Sequence, residues 1–440
     1  MPSVSSARPV SLRTEILAGI STFLATMYII VVNPSILSQS GLPFSGVLTA
    51  TVLLSFGCSL LMGLYARNPM VVAPGMGLNA FFTFTAVKGM GIRPEVALGA
   101  VFWAGVLFLL LSIFNVRSAI VRAIPSPLRY AVSAGIGLFI TLIGLENARF
   151  IVANPATLVG IAPLHDPIVL TFIFGLLLTA VLLIRRVPGA IIIGIILTTL
   201  AAWPIGRYWG DASAINFGQK TLVNFGGLLA APDFSLIGRL DLVASLQWSL
   251  WPVIFAFVFT DLFDSLSTFV GVAEAASLYD ENGQPRNLDR SLLTDAVATT
   301  LAGLLGTSPG TAYIESAVGI EQGGRTGLTA VVAGLLFLPF LFLSPLLSVI
   351  PAIATAPALV LVGAFMMKPV TKINWGQLDE ALPAFLALVL IPFSYSITQG
   401  IIWGFLTWTV AKLAAGKSRE IPTGMWIVDG FCLLALWSGH

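Results

Sequence analysis

Residues 70–84 read MVVAPGMGLNAFFTF, and residues 308–320 read SPGTAYIESAVGI. Both stretches are apolar enough for a membrane, and both carry a Pro-Gly pair, Pro74-Gly75 and Pro309-Gly310. Proline removes a backbone donor and collides with the preceding turn, so neither stretch can be an unbroken helix. After Pro309-Gly310 a half-helix is expected to begin, with Thr311, Ala312 and Tyr313 presenting unpaired N–H groups near the membrane midplane and Glu315 one turn in. After Pro74-Gly75, Met76-Gly77-Leu78-Asn79 repeats the arrangement, with Asn79 offering donor and acceptor atoms and the glycines allowing close backbone approach. The positive end of a half-helix favours an anionic or electron-rich ligand atom, and Glu315 adds an acceptor that can also carry a proton.

The rest of the chain places these breaks in lipid. Of 440 residues, 57% are hydrophobic and 10% charged, and the mean hydropathy is +0.95. An average soluble protein has roughly 25% charged residues. Apolar runs of helix-spanning length fall at 16–38, 46–66, 70–88, 94–115, 119–145, 167–185, 188–206, 243–273, 290–307, 309–322, 326–348, 352–370, 381–397 and 399–415. The fold class that follows is an all-α polytopic membrane protein of fourteen transmembrane segments. The run 425–437 is too short to span and is expected at the interface. The polar N-terminus lacks a cleavage site before the first apolar run, so the first helix is expected to stay.

Lys and Arg residues orient the chain. With both termini cytoplasmic, 16 of the 22 fall inside, leaving Lys88, Arg93, Arg149, Arg207, Lys220 and Arg239 outside. The net charge of +2 reflects this loop bias, and nucleic acid is excluded as a partner. Cys58 and Cys432 both sit in apolar runs, which reads as buried thiols and not as a disulfide or metal site.

Fourteen spans divide into seven and seven. Ala73-Pro74-Gly75 matches Ser308-Pro309-Gly310, and Ile124-Pro125 with Gly137 twelve residues after the proline matches Ile350-Pro351 with Gly363 at the same distance. An odd number of spans per half turns the second half over, which is a 7+7 inverted repeat.

Carboxylates inside spans are the most informative residues in such a chain. Three stand out: Asp261 and Asp264 in VFTDLFDSLSTF, residues 258–269, and Glu315. Asp261, Asp264, Ser265 and Thr268 fall at i, i+3, i+4 and i+7, one polar stripe that must face protein or water. Such a stripe can also serve only to tie helices together. Phe81, Phe82, Phe259, Phe263 and Tyr313 lie beside these polar groups and offer flat apolar faces, although each is also an ordinary core residue. Carboxylate and amide groups beside aromatic rings suit a heterocyclic base.

The stretches APGMGLNAFFTF at 73–84, FTDLFDSLST at 259–268, TAYIESAVGI at 311–320 and TEILAGISTFLATMYIIVVNP at 14–34 together resemble the purine permease branch of the nucleobase/ascorbate transporter superfamily. The resemblance runs over nearly the whole chain. It implies a core domain at 14–116 and 243–348, a gate domain at 117–242 and 349–416, and a cytoplasmic or interfacial tail at 417–440. It also implies that spans three and ten each begin with a short strand, for which 70–73 is suited, with the substrate between them. On matching positions, Asp261 and Glu315 contact the base, Asn79 shapes the pocket, and Gly77 and Asp264 affect function, while Ala312, Tyr313, Phe81 and Phe263 complete the expected site. Proton symport through Glu315, Asp261 and Asp264, import of adenine, guanine or hypoxanthine across the inner (plasma) membrane, and homodimers are implied with it. No cofactor is called for.

Two other readings apply to the same residues. An anion transporter of the sulfate or bicarbonate type shares the 7+7 plan, but often appends a soluble domain where only about 25 residues follow the last span here, and three intramembrane acids suit a neutral base better than a dianion. An intramembrane aspartyl protease would need carboxylates converging from separate helices, and the chain has neither GxSxG nor HExxH.

Overall fold

Ser11 caps the first helix: its hydroxyl accepts the Thr14 N–H at 3.1 Å. The computed structural model describes residues 11–113, 124–213, 220–276, 278 and 285–437, with the backbone alone at several positions of the 251–276 and 423–437 helices. The first apolar run divides into α1 (Leu12–Thr26) and α2 (Ile29–Leu37). The second is α3 (Phe44–Leu61), widened at its end into a π-helical turn that stops at Arg67 in the left-handed region.

The third run is broken as its Pro-Gly pair requires. Strand β1 (Val72–Pro74) leads through Gly75 into the short α4 (Met76–Ala80), which continues as a π-helix over Phe81–Gly89. Then follow α5 (Pro94–Ile113), α6 (Ser126–Asn147), α7 (Pro167–Ile184) and α8 (Ala190–Ala202). Between α6 and α7 lies a hairpin of β2 (Ile151–Asn154) and β3 (Leu158–Ile161), which adds a second small sheet to the expected all-helical plan. The run of β-branched residues around Asn154-Pro155 explains it, since the Asn154 side chain accepts the Ala156 N–H at 2.9 Å and makes the turn.

The second half follows with α9 (Trp251–Ala276), α10 (Leu288–Leu305), β4 (Gly310–Ala312), a 3₁₀ turn at Ile314–Ser316, α11 (Ala317–Glu321), α12 (Gly327–Phe337), α13 (Ser344–Leu347), α14 (Ala352–Met366), α15 (Leu378–Ser394), α16 (Ile397–Ala414) and α17 (Thr423–Trp437). The helix expected from 243 begins at Trp251, because Gln247 is extended and leaves only 3₁₀ turns before it. Among the described residues, six helical stretches are long and apolar enough to cross a membrane: Leu12–Ser40, Phe44–Ala66, Pro94–Ile113, Ser126–Asn147, Pro167–Ile184 and Ala352–Lys372. The other expected spans are helices that are shorter, interrupted or less apolar.

Both pairs of sequence matches are in direct contact. Strands β1 and β4 pair antiparallel, with Ala73 opposite Thr311 and Pro74 opposite Gly310. Helices α6 and α14 cross at Gly137 and Gly363, where no side chain separates the backbones. Elsewhere α5 packs on α10, α1 on α12, and α15 on both α6 and α16.

Candidate functional site

The β1–β4 pair sets the frame, because it places the two Pro-Gly breaks side by side and fully buried. Side chains complete it. Ser59 brackets Val72, accepting its N–H at 3.1 Å and donating to its carbonyl at 3.2 Å, and Ser316 accepts the Val71 N–H at 3.1 Å. The Tyr313 N–H donates to the Val71 carbonyl at 2.9 Å. This corrects the expected helix start: Gly310, Thr311 and Ala312 are strand residues, Tyr313 is extended, and helical geometry begins only at Ile314. The edge of β1 is available to pair with this segment, and a strand pairing satisfies backbone groups that a half-helix would have left open. Glu315 consequently stands in the first turn of the helical part and not one turn in.

Helix α9 presents the polar stripe. Asp261 is fully buried, and its Oδ2 lies 2.5 Å from the hydroxyl of Thr299 on α10, which is also 3.1 Å from the Gly310 carbonyl. One hydroxyl thus ties the carboxylate to the second break. One turn on, Ser265 bonds the carboxylate of Asp295 and lies 2.9 Å from the Thr311 hydroxyl. Part of the stripe therefore joins helices, as its alternative reading held. Asp264 is half-buried and lies three residues after Asp261 on α9.

Glu315 is half-buried, and its Oε1 accepts the hydroxyl of Tyr28 at 2.7 Å. The Tyr313 hydroxyl donates to the Pro74 carbonyl at 2.5 Å, so it braces the first break from the second. Asn79 is fully buried in α4, with its Nδ2 3.8 Å from the Met76 sulfur. Asp261 Oδ1 and Asn79 Oδ1 have no hydrogen-bond partner among the described residues. A buried polar atom left so costs about 1–3 kcal/mol, which marks both as acceptors for a group the fold does not supply.

The remaining expected residues divide. Gly77 packs against α6: a Cβ there would lie 2.5 Å from Ile136 Cγ2, so its role is close approach between helices. Ala312 pairs with Val72 inside the sheet. Phe81 is fully buried edge-on to Phe257, with ring centroids 4.7 Å apart, which is core packing. Phe263 lies on α9, and its side chain is outside the described residues.

Sequence reasoning missed Tyr28, Thr299 and Asp295. Asp295, in the run 290–307, is fully buried in α10. Its neighbours Leu292 and Ala296 were the available signal. Tyr28 carried none, since no proline or glycine adjoins it.

A model of the Permease family matches residues 13–402. Adenine permease AdeP of Escherichia coli (strain K12) is 43% identical over 418 residues, covering 94% of this chain and 91% of the relative. Guanine/hypoxanthine permease PbuO of Bacillus subtilis (strain 168) is 42% identical over 415 residues, 93% of this chain and 94% of the relative. Among solved structures, the transmembrane domain of a cyanobacterium bicarbonate transporter, BicA, superposes with a TM-score of 0.62 at 16% identity over 89% of this chain and 97% of that one. At that identity the likeness speaks for the fold alone.

Proposed function

The chain belongs to the purine permease branch of the nucleobase/ascorbate transporter superfamily, a family of transporters and not enzymes, and we propose that it imports a purine base, adenine, guanine or hypoxanthine, together with a proton. The observation that carries this reading is the buried Asp261, tied through Thr299 to the second of the paired breaks, with Asp261 Oδ1 and Asn79 Oδ1 left as buried acceptors. A purine edge offers ring N–H and amino donors to such acceptors, and a carboxylate can take a proton as the base arrives. The relatives named adenine and guanine/hypoxanthine permeases support the same substrate class.

The wider reading follows from it. Fourteen spans form a 7+7 inverted repeat, residues 14–116 and 243–348 make a core domain, and residues 117–242 and 349–416 make a gate domain against which it moves in alternating access. Asp261 and Glu315 bind the base with Asn79 shaping the pocket, Glu315 carries the proton, and Asp261 and Asp264 assist. The protein sits in the inner (plasma) membrane as a homodimer with both termini cytoplasmic. Anion transport is the weaker reading, because clustered carboxylates repel an anion.

Uptake of labelled adenine, guanine, hypoxanthine and uracil into a host lacking its own purine permeases tests this. Purine accumulation without uracil accumulation is the expected result. Bicarbonate or sulfate flux with no purine flux, in correctly inserted protein, would overturn it.

A further inference from the structure

The first span is interrupted as well as the third and tenth. Helix α1 ends at Thr26 and α2 begins at Ile29, with Met27 and Tyr28 between them. The Thr26 hydroxyl donates back toward the carbonyls of Thr22 and Phe23, at 2.9 and 3.3 Å, a contact that bends helices. At this interruption Tyr28 is 1% exposed, and its hydroxyl reaches Glu315 across 287 positions of sequence. Its ring lies 6.4 Å from that of Tyr313, whose own hydroxyl is committed to Pro74.

Phenylalanine would fill the same volume, so packing does not explain the hydroxyl. A phenol has one hydrogen to donate, and here it goes to a carboxyl oxygen. Glu315 stands in a single 3₁₀ turn, Ile314–Ser316. A donor fixed on Oε1 removes rotational freedom and leaves Oε2 as the acceptor for a ligand.

We propose that Tyr28 is a positioning residue of the substrate site: acting through Glu315, its hydroxyl sets the orientation of the carboxylate and so the purine edge that is preferred. The inference rests on the assignment of Glu315 to purine binding made above. A 6-amino purine offers a donor at position 6, whereas a 6-oxo purine offers an acceptor there. A carboxylate held in one orientation distinguishes them, and one free to turn distinguishes them less.

The test is equilibrium binding of adenine and hypoxanthine to purified wild type, Tyr28→Phe, Glu315→Gln and the double variant, each confirmed as folded, monodisperse protein. Tyr28→Phe is expected to weaken the preferred base by roughly tenfold, as leaving a buried acceptor unpaired does, and to shrink the ratio of the two affinities. The double variant is expected to bind no more weakly than Glu315→Gln alone. A merely structural tyrosine would lower both affinities together and leave their ratio unchanged. An unchanged ratio, or losses that add fully in the double variant, would overturn the inference. Wild-type protein that binds neither base would overturn the functional reading itself, and the inference with it.

Discussion

Gly137 of α6 and Gly363 of α14 lie face to face: a Cβ built on Gly363 would sit 2.3 Å from the Gly137 carbonyl oxygen, and one built on Gly137 would sit 2.7 Å from that of Gly363. A backbone carbonyl obstructs on each side, together with the Thr141 hydroxyl 2.1 Å from the Gly363 Cβ and the Met366 Cβ 2.7 Å from that of Gly137. In lipid, where apolar contact has no water to escape, such close approach is a main source of helix association.

Gly363→Val is therefore expected to force α6 and α14 apart and to destabilise the protein by about 1–3 kcal/mol or more, because the Gly137 carbonyl cannot rotate away even where the Thr141 hydroxyl can. Thermal unfolding in detergent measures this. Gly57, whose Cβ would meet nothing within 4 Å, serves as the control, and Gly57→Ala should leave the melting temperature nearly unchanged. Equal losses in both variants would remove the special status of the crossing.

Asp261 and Glu315 should separate binding from coupling. Asp261→Asn replaces one acceptor oxygen of the carboxyl held by Thr299 at 2.5 Å beside the second break with a donor, and purine binding and flux are expected to disappear together. Glu315→Gln keeps the shape and much of the hydrogen bonding but cannot ionise. It is expected to lose accumulation driven by a pH gradient while keeping some equilibrative flux. Purine uptake into proteoliposomes with and without an imposed gradient measures both. Continued gradient-driven concentration in Glu315→Gln would mean that the proton rides on another group.

Asp233 anchors the long connection before α9. Its carboxylate accepts the Ser45 hydroxyl at 2.7 Å and the Ser235 N–H at 2.9 Å, and its own N–H donates to Thr49 at 3.0 Å. The bond from Ser45, then that from Ser235, holds this carboxyl below the ordinary carboxylate range against the opposing effect of slight burial. A lowered folded value means a contribution fully present above the unfolded value near about 4 and lost as pH falls through the folded one. The melting-temperature difference between wild type and Asp233→Asn should be constant near neutrality and shrink below about pH 4. A difference that does not change with pH would show that the ionised carboxylate is not its source.

The proposed orientation, read from loop charge, has residues 207–242 outside and the C-terminal segment inside. Gly226 is exposed with open space where a Cβ would point, and Arg419 is exposed before α17. The native thiols Cys58 and Cys432 are buried, so background labelling should be low. In intact cells Gly226→Cys is expected to react with an impermeant maleimide, and Arg419→Cys only after permeabilisation. The reverse pattern would invert the orientation.

Much of this protein is a local property of its sequence. Lipid as solvent follows from charge content, the breaks at Pro74-Gly75 and Pro309-Gly310 from proline's missing donor, and the stripe through Asp261 from helical spacing. Each depends only on a residue and its near neighbours. What each polar group meets is different in kind. Thr299 against Asp261, Ser265 against Asp295 and Tyr28 against Glu315 join residues 38, 30 and 287 positions apart, and no periodicity reports a partner at such distances. The strand at Gly310–Ala312 illustrates the reason: a segment suited to starting a helix became extended because the edge of Val72–Pro74 lay beside it. Hydrogen-bond satisfaction in a buried, water-poor interior is decided by whichever backbone arrives there, and only tertiary packing brings it.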